Sequence, residues 1–82
     1  MLAELSTTAR VTGVKQSMRA VREGRAKLVF LACDADPFVT TPVSALCAAS
    51  GVPTEDAYTM AQLGAASGIS VGAAAAALLK TE

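Results

Sequence analysis

Residues 12–37, TGVKQSMRAVREGRAKLVFLACDADP, contain the pattern of a complete helix, strand and turn. Lys15, Arg19 and Arg22 recur at i, i+4 and i+7, so a helix places them along one stripe. A neighbouring apolar stripe repeats one residue earlier and consists of Val14, Met18 and Val21. The first half of this segment is therefore predicted to be an amphipathic helix with one face on the core and a basic face in solvent.

Glycine stands at both ends of this predicted helix. The helix is expected to start at Thr12 or Gly13, and with Gly13 as N-cap, Gln16 at the third helical position has a side chain that can reach back to a free amide. Gly24 is expected to close the helix. An open N-terminus followed by cations suits phosphate oxygens, whereas an ordinary amphipathic helix with a solvated basic face explains the same spacing.

The segments beside this unit alternate between strand and helix patterns. A short helix is expected over residues 3–10, and a brief edge strand over 10–13. The apolar run over 27–33 is typical of a central strand with both faces covered, and the sequence DADP at 34–37 ends it. Such alternation with short connections predicts an α/β/α sandwich around a mostly buried sheet.

The middle of the chain predicts one more helix and one more strand. Thr41 and Pro42 indicate the N-cap and first turn of a helix that runs through Ser50. The inward face of this helix is expected to comprise Val43, Leu46 and either Cys47 or Ala48. A weak strand is predicted over 52–58, because that segment holds a proline and two acids that a central strand would not accept.

The last third of the chain gives conflicting signals. Thr59 predicts the cap of a short helix over residues 60–67. Ala73–Ala77 favours a helix by intrinsic propensity. However, Gly68 and Gly72 interrupt the segment, and an apolar run without a polar face fits a short buried strand equally well.

The composition narrows the class of protein. The chain has 82 residues that are 52% hydrophobic, which predicts one domain with an aliphatic core. No apolar run reaches the ~18 residues of a bilayer span and the N-terminus lacks a secretory pattern, so a cytoplasmic protein without a membrane partner is expected. With no histidine and no C-x-x-C motif, neither a metal site nor a cofactor is expected. Cys33 and Cys47 are expected to be buried, reduced thiols, with a disulfide between them as the alternative.

Charge is divided unevenly along the chain, although the net charge is zero. Residues 1–33 carry six cations and two acids, a net of +4, whereas residues 34–82 carry one cation and five acids, a net of −4. A neutral protein gains little long-range attraction to a polyanion, but a local basic patch still binds one. The uneven distribution of charge along the chain is therefore more informative about binding than the net charge.

Three separated blocks form a recognisable pattern: residues 12–37, the helix end SGVP at 50–53, and LGAASGISVGAAA at 63–75. Together they resemble the ribosomal protein L7Ae/L30e family, the kink-turn RNA-binding proteins, and most closely its short bacterial members. The resemblance implies a three-layer α/β/α sandwich with a four-stranded mixed sheet, formed by a single domain over residues 1–82. It also implies that residues 73–79 are the last strand.

The resemblance implies a non-catalytic protein that recognises a kink-turn, a sharply bent RNA with tandem sheared G·A pairs and an extruded nucleotide. The residues that match the contact with the G·A pairs are Gly13, Val14, Lys15 and Gln16, with Arg19 next along the stripe. Asp36 matches a carboxylate near the extruded base, and a turn or cap role before Pro37 fits it equally. The second contact is an apolar loop over residues 64–71, in which the matching residues are Gly64, Gly68, Ile69, Ser70 and Val71. Helix termination and turn geometry explain these glycines as well.

One departure from the family pattern bears on function. Family members commonly carry basic residues around the apolar loop, but residues 60–65 contain no cation here. A narrower and weaker RNA contact is expected, or its loss, and a protein-interaction or adaptor module on the same fold is the alternative function. An enzyme is the weakest interpretation, since the paired acids at positions 34/36 and 55/56 are more simply explained as turn residues. The expected partner is structured kink-turn RNA, with ribosomal RNA as one candidate, bound by a monomer.

Overall fold

A four-stranded mixed sheet is the middle layer of the computed structural model, which describes residues 9–68 and 72–80. In chain order the elements are β1 (Arg10–Thr12), α1 (Val14–Arg22), β2 (Ala26–Leu31), α2 (Pro37–Ser50), β3 (Thr54–Glu55), α3 (Met60–Ala66) and β4 (Ala75–Leu79). The strand order is β1-β4-β2-β3; β4 is antiparallel to both of its neighbours, and β2 is parallel to β3. Helices α1 and α2 cover one face of the sheet and α3 the other, which confirms the predicted three-layer sandwich.

Strand β2 is the central strand that the apolar run predicts. Val29 and Leu31 pack against α1 and α2, whereas Leu28 and Phe30 pack against α3. The strand ends at Leu31, earlier than predicted, because the chain turns away from the sheet after Ala32.

The two cysteines differ in burial. Cys33 lies in the turn after β2 and is exposed, so the expectation of two buried thiols is wrong for it. Cys47 is buried on the inner face of α2 as expected, and burial raises the pKa of its thiol. Both cysteines are free.

Strand β4 settles the conflict over the alanine-rich tail. Its residues Ala75–Leu79 pair with β1 on one side and β2 on the other, so their backbone groups are satisfied as a strand. Ala75, Ala76 and Ala77 are each 0% exposed between the two helical layers. Burial on both faces therefore overrides the helix propensity of alanine.

Helix α1 begins and ends where the sequence predicts, with Gly13 as N-cap and Gly24 just past the C-cap at a φ of 73°. The prediction that the Gln16 side chain reaches back to the free amide of the N-cap is wrong. The Gly13 N–H donates instead to the carbonyl of Ala75, at 2.8 Å, and so is already satisfied by β4.

Helix α2 begins five residues before the predicted start. Asp36 is the N-cap, its Oδ1 accepting from the Phe38 N–H at 2.9 Å, and Pro37 occupies the first turn. This confirms the cap role of Asp36 and places Pro42 inside the helix. The inward residues are Val43 and Cys47, with Leu46 half-buried and Ala48 exposed.

For the short elements, the sequence predicts the type of each element better than its length. Only Thr54–Glu55 of the predicted strand over 52–58 pairs with β2, which fits a weak edge strand. Thr59 caps α3 in a reciprocal pair of hydrogen bonds with Gln62, and the helix ends at Ala66. Of the helix expected over 3–10, residues 3–8 lie outside the described residues, and Arg10 belongs to β1.

No helix in the described parts of the chain is both long and apolar enough to cross a lipid bilayer.

We expect Pro42→Ala to raise the free energy of unfolding by about 1–3 kcal/mol, because proline inside a helix lacks the N–H that bonds to the carbonyl four residues earlier. Urea denaturation measures the change. Pro37→Ala is the matched control, since a proline in the first turn removes no helical hydrogen bond. An unchanged midpoint for Pro42→Ala would contradict this account of α2.

We expect Ala77→Leu to lower the free energy of unfolding by about 1–3 kcal/mol, because the added atoms have no space between the helical layers. Ala45→Leu adds the same atoms at an exposed position of α2 and is expected to change stability little. Thermal unfolding of both variants makes the comparison. Equal midpoints would show that β4 does not require small side chains.

Candidate functional site

The starts of all three helices meet at one edge of the sheet. Strands β1 and β2 run in the same direction, since both are antiparallel to β4. Thr12 and Leu31, at their C-terminal ends, pair with Ala76 and Ala75 at the start of β4. Because β3 is parallel to β2, the connections into α1, α2 and α3 all leave from this edge. We call it the helix-start edge and define it by residues 13–16, 32–38, 56–60 and 72–74.

The first turn of α1 carries Lys15, the one cation among the residues that define the helix-start edge. Gly13 has φ 104° and ψ 158°, a backbone conformation that is almost restricted to glycine. Val14 is half-buried against the core, whereas Lys15 and Gln16 are exposed. Within the described part of the chain, no side chain hydrogen-bonds to the amides of this turn. The predicted contact residues of α1 are therefore brought together at an open helix N-terminus.

A basic stripe continues from this turn along α1. The side chains that line an open depression on this helix are Lys15, Gln16, Met18, Arg19 and Arg22. The stripe is partly compensated, because Arg19 Nε lies 3.3 Å from Glu23 Oε2. Arg25 Nε lies 2.9 Å from the other oxygen of the same carboxylate. The hydrogen bond from Arg19, with the positive charge of both arginines, lowers the pKa of Glu23.

Two aspartates organise the turn between β2 and α2. Asp36 is exposed and caps α2 through its Oδ1. Asp34 Oδ1 accepts from the Met60 N–H at 2.8 Å, which ties the turn to the start of α3. Both carboxylates therefore have structural roles, and the contact of Asp36 with a base stays a prediction.

The apolar loop begins later than predicted. Gly64 is buried inside α3 and is not part of a loop, since the helix continues through Ala66. Gly68 lies in the turn after α3 with φ 78° and is exposed. The predicted site residues Ile69, Ser70 and Val71 lie outside the described residues.

The lead into β4 passes close to the start of α3. A Cβ on Gly72 would lie 3.1 Å from Met60 Cβ, so this close approach favours glycine. The Ala73 N–H donates to the Met60 carbonyl at 3.0 Å. The segment before β4 is thus fixed on the helix-start edge beside α3.

Sequence reasoning missed Arg10. Its Nη2 donates to the Ser67 carbonyl at 2.9 Å, across 57 residues of chain. The same atom lies 3.8 Å from the position that a Cβ on Gly68 would take. The only signal in the sequence is alternation: Val11 packs on the core beneath α1 and α2, so Arg10 faces the side of α3. Strand β1 thus supplies a cation to a turn whose own neighbourhood, residues 60–65, has none.

Among the residues that the structure describes, no three cysteine, aspartate or glutamate side chains group so as to hold a metal ion.

A family model described as the Ribosomal protein L7Ae/L30e/S12e/Gadd45 family matches residues 3–82. The chain is 43% identical over 70 residues to RNA-binding protein YbxF from Geobacillus stearothermophilus, covering 85% of each protein. It is 37% identical over 76 residues to an RNA-binding protein from Caldanaerobacter subterraneus subsp. tengcongensis, covering 93% of each. Both relatives carry the name RNA-binding protein, and neither is named as an enzyme.

Two solved structures share the fold. A Giardia lamblia 15.5kD RNA binding protein superposes with a TM-score of 0.87 at 30% identity, covering 99% of this chain and 70% of that one. A Bacillus halodurans protein of unknown function superposes with a TM-score of 0.86 at 24% identity, covering 98% of this chain and 84% of that one. The second likeness shows the fold alone.

We expect Arg10→Gln to loosen the turn after α3, because the Ser67 carbonyl loses a charged donor. Hydrogen exchange at the Gly68 amide, which donates to the Ala65 carbonyl, should become about ten-fold faster. Arg22→Gln is the control, since it removes an exposed arginine from α1 far from this turn. Equal exchange at Gly68 in both variants would rule out this role for Arg10.

Proposed function

The chain belongs to the ribosomal protein L7Ae/L30e/S12e/Gadd45 family, and on that premise we propose that residues 1–82 form a non-catalytic RNA-binding domain. Its RNA is a kink-turn, which it recognises and stabilises as a cytoplasmic monomer. The RNA-binding names of its relatives support the general activity. The kink-turn, with ribosomal RNA as one source of it, is the specific part of the proposal.

The observation that carries the proposal is the open first turn of α1. Lys15 and Gln16 are exposed there, two and three residues after Gly13, whose amide is bonded to β4. An ammonium group donates to guanine O6 or N7, and an amide side chain both donates and accepts. The uncapped amides of the turn favour a phosphate beside them.

The geometry of the helix-start edge suits a bent RNA better than a straight one. The turns into α1 and α2 lead to helices on one face of the sheet, whereas the segment before β4 packs beside α3 on the other face, so a ligand that touches all of them must bend around the edge. RNA of this kind is read by its shape and by splayed bases. Cations beside the bend reduce the repulsion between phosphates that the bend brings together. The second contact is assigned to Gly68 with Ile69, Ser70 and Val71.

An adaptor module on the same fold, with weakened or lost RNA binding, is the second candidate. It is favoured by the absence of cations from residues 60–65 and by the pairing of Arg19 with Glu23. Both features reduce the charge available to phosphates. If RNA is bound, its affinity should therefore depend on salt with a shallow slope, since each phosphate contact contributes about one unit.

We expect the double variant Lys15→Ala/Arg19→Ala to bind a kink-turn RNA at least about ten-fold more weakly, because it removes the two cations nearest the open turn. Gel shift or fluorescence anisotropy at two salt concentrations measures the loss and the change in slope. The matched control is Arg25→Ala/Lys80→Ala, which also removes two cations, one of them paired with Glu23. Both control residues lie at the opposite end of the sheet, where the Lys80 N–H donates to the Arg25 carbonyl.

A second RNA, in which the sheared G·A pairs are replaced by Watson–Crick pairs, tests the specific claim. The wild-type protein should bind it much more weakly than the kink-turn, because the bend and its exposed base edges are lost. Equal binding of the two RNAs would refute kink-turn recognition. If the two double variants lose the same affinity for the RNA, binding depends on overall positive charge and not on the turn of α1.

A further inference from the structure

Phe38 is exposed in a way that the fold does not require. Its residue is 91% exposed, whereas the other phenylalanine, Phe30, is 0% exposed in the core. Together with Pro37, Thr41 and Pro42 it lines an open apolar patch on the first turns of α2. A ring that gains nothing from folding is a candidate for contact with a ligand.

The backbone under Phe38 is held stiffly. The Phe38 N–H donates to Asp36 Oδ1, and the ring of Pro37 fixes the φ angle of the residue directly before Phe38. Pro42 forms another wall of the patch and has no N–H to give to the Phe38 carbonyl. Proline at this position costs helix α2 a hydrogen bond, and its ring adds an apolar wall that has few side-chain conformations. A backbone that is already fixed adds little to the conformational entropy lost when a ligand binds the side chain.

The patch lies beside the proposed RNA-binding turn. Helices α1 and α2 both start at the helix-start edge, and their buried faces share one core cluster. They are therefore parallel neighbours, and packed helices lie about 8–10 Å apart. Phe38 is the second residue of α2, as Lys15 is the second residue of α1. One RNA molecule can span both positions.

We propose that Phe38 stacks on an unpaired base of the RNA that α1 binds, an inference that rests on the proposed function. Every base presents a flat face that stacks on an aromatic ring, and RNA-binding proteins commonly use this contact for splayed bases. The cations of the neighbouring stripe, Lys15, Arg19 and Arg22, suit the phosphates on either side of such a base.

A nucleobase fits this patch better than a protein partner does. Among the described residues, Phe38 and Val39 are the large hydrophobic residues that are exposed, whereas a stable protein interface uses about 20–30 residues a side. A single base is similar in size to the phenyl ring and needs no larger apolar surface. Contact between copies of the chain is thus an outcome for the test to detect.

Phe38→Ala should weaken binding of the kink-turn RNA about ten-fold, because alanine offers no face for a base. Val39→Ala is the matched control: Val39 is the next residue, 38% exposed, and does not line the patch, so its affinity should not change. Both sites are exposed, and both variants should therefore fold like the wild type. Phe38→Leu separates stacking from apolar contact, since it should lose most of the affinity that Phe38→Ala loses.

Phe38→Trp provides a direct signal, because the chain has no other tryptophan. Stacking on a base should quench the emission of this residue when the kink-turn RNA is added, with affinity kept or raised. Abasic substitution of each unpaired nucleotide in turn should identify one position that abolishes the quenching. At that position, the difference in affinity between the wild type and Phe38→Ala should also disappear.

The possible failures are distinguishable. If Phe38→Ala binds like the wild type while Lys15→Ala/Arg19→Ala loses binding, the stacking inference is wrong and the proposed function stands. If the wild type binds the kink-turn and the RNA without G·A pairs equally, the proposed function fails and the inference fails with it. If Phe38→Ala changes only the sedimentation of the free protein, the patch joins copies of the chain and stacking is overturned.

Discussion

The fold depends on β4, which begins with small side chains, is hydrogen-bonded to a strand on each side and is covered by helices on both faces of the sheet. Only small side chains allow α1 and α2 to approach β4 from one side while α3 approaches from the other, and Ala75–Ala77 meets this need. The antiparallel pairing of β4 with β1 and β2 then makes those two strands parallel to each other. Their helices consequently start at the same edge. The site is thus a product of sheet topology as much as of its own residues.

Much of the fold follows from local sequence. Short-range signals each predict one structure here. The glycines predict the two ends of α1, the apolar run predicts the buried strand β2, and the cap formed by Thr59 and Gln62 marks the start of α3. The start of α2 was not predictable in the same way. The chain contains two cap–proline pairs, Asp36-Pro37 and Thr41-Pro42, and choosing between them requires knowing that the helix tolerates an internal proline. Gly64 likewise lies inside α3, since a capped helix continues past a single glycine.

The candidate site was predictable where it is continuous in sequence and unpredictable where the fold brings distant residues together. The turn at Gly13–Gln16 follows from its own residues, and Lys15 and Gln16 are exposed in it. The prediction that failed there concerns the Gly13 amide, which bonds to Ala75 and not to the Gln16 side chain. Arg10 reaches Ser67 only because its side chain leaves β1 on the face of the sheet that α3 covers, which no local pattern reveals. Phe38 resembles a core residue by type, and its exposure depends on where α2 begins.

Glu23 holds both Arg19 and Arg25 when no ligand is present. An incoming polyanion must therefore offer Arg19 a better-placed oxygen than the carboxylate it already has. A straight duplex or an acidic polymer that meets α1 alone gains little from that exchange. A ligand that also reaches the neighbouring turns has contacts that do not require this exchange. Because the side chains of the pair are exposed, its effect is small: it slightly lowers the attraction of α1 for a polyanion that meets this helix alone.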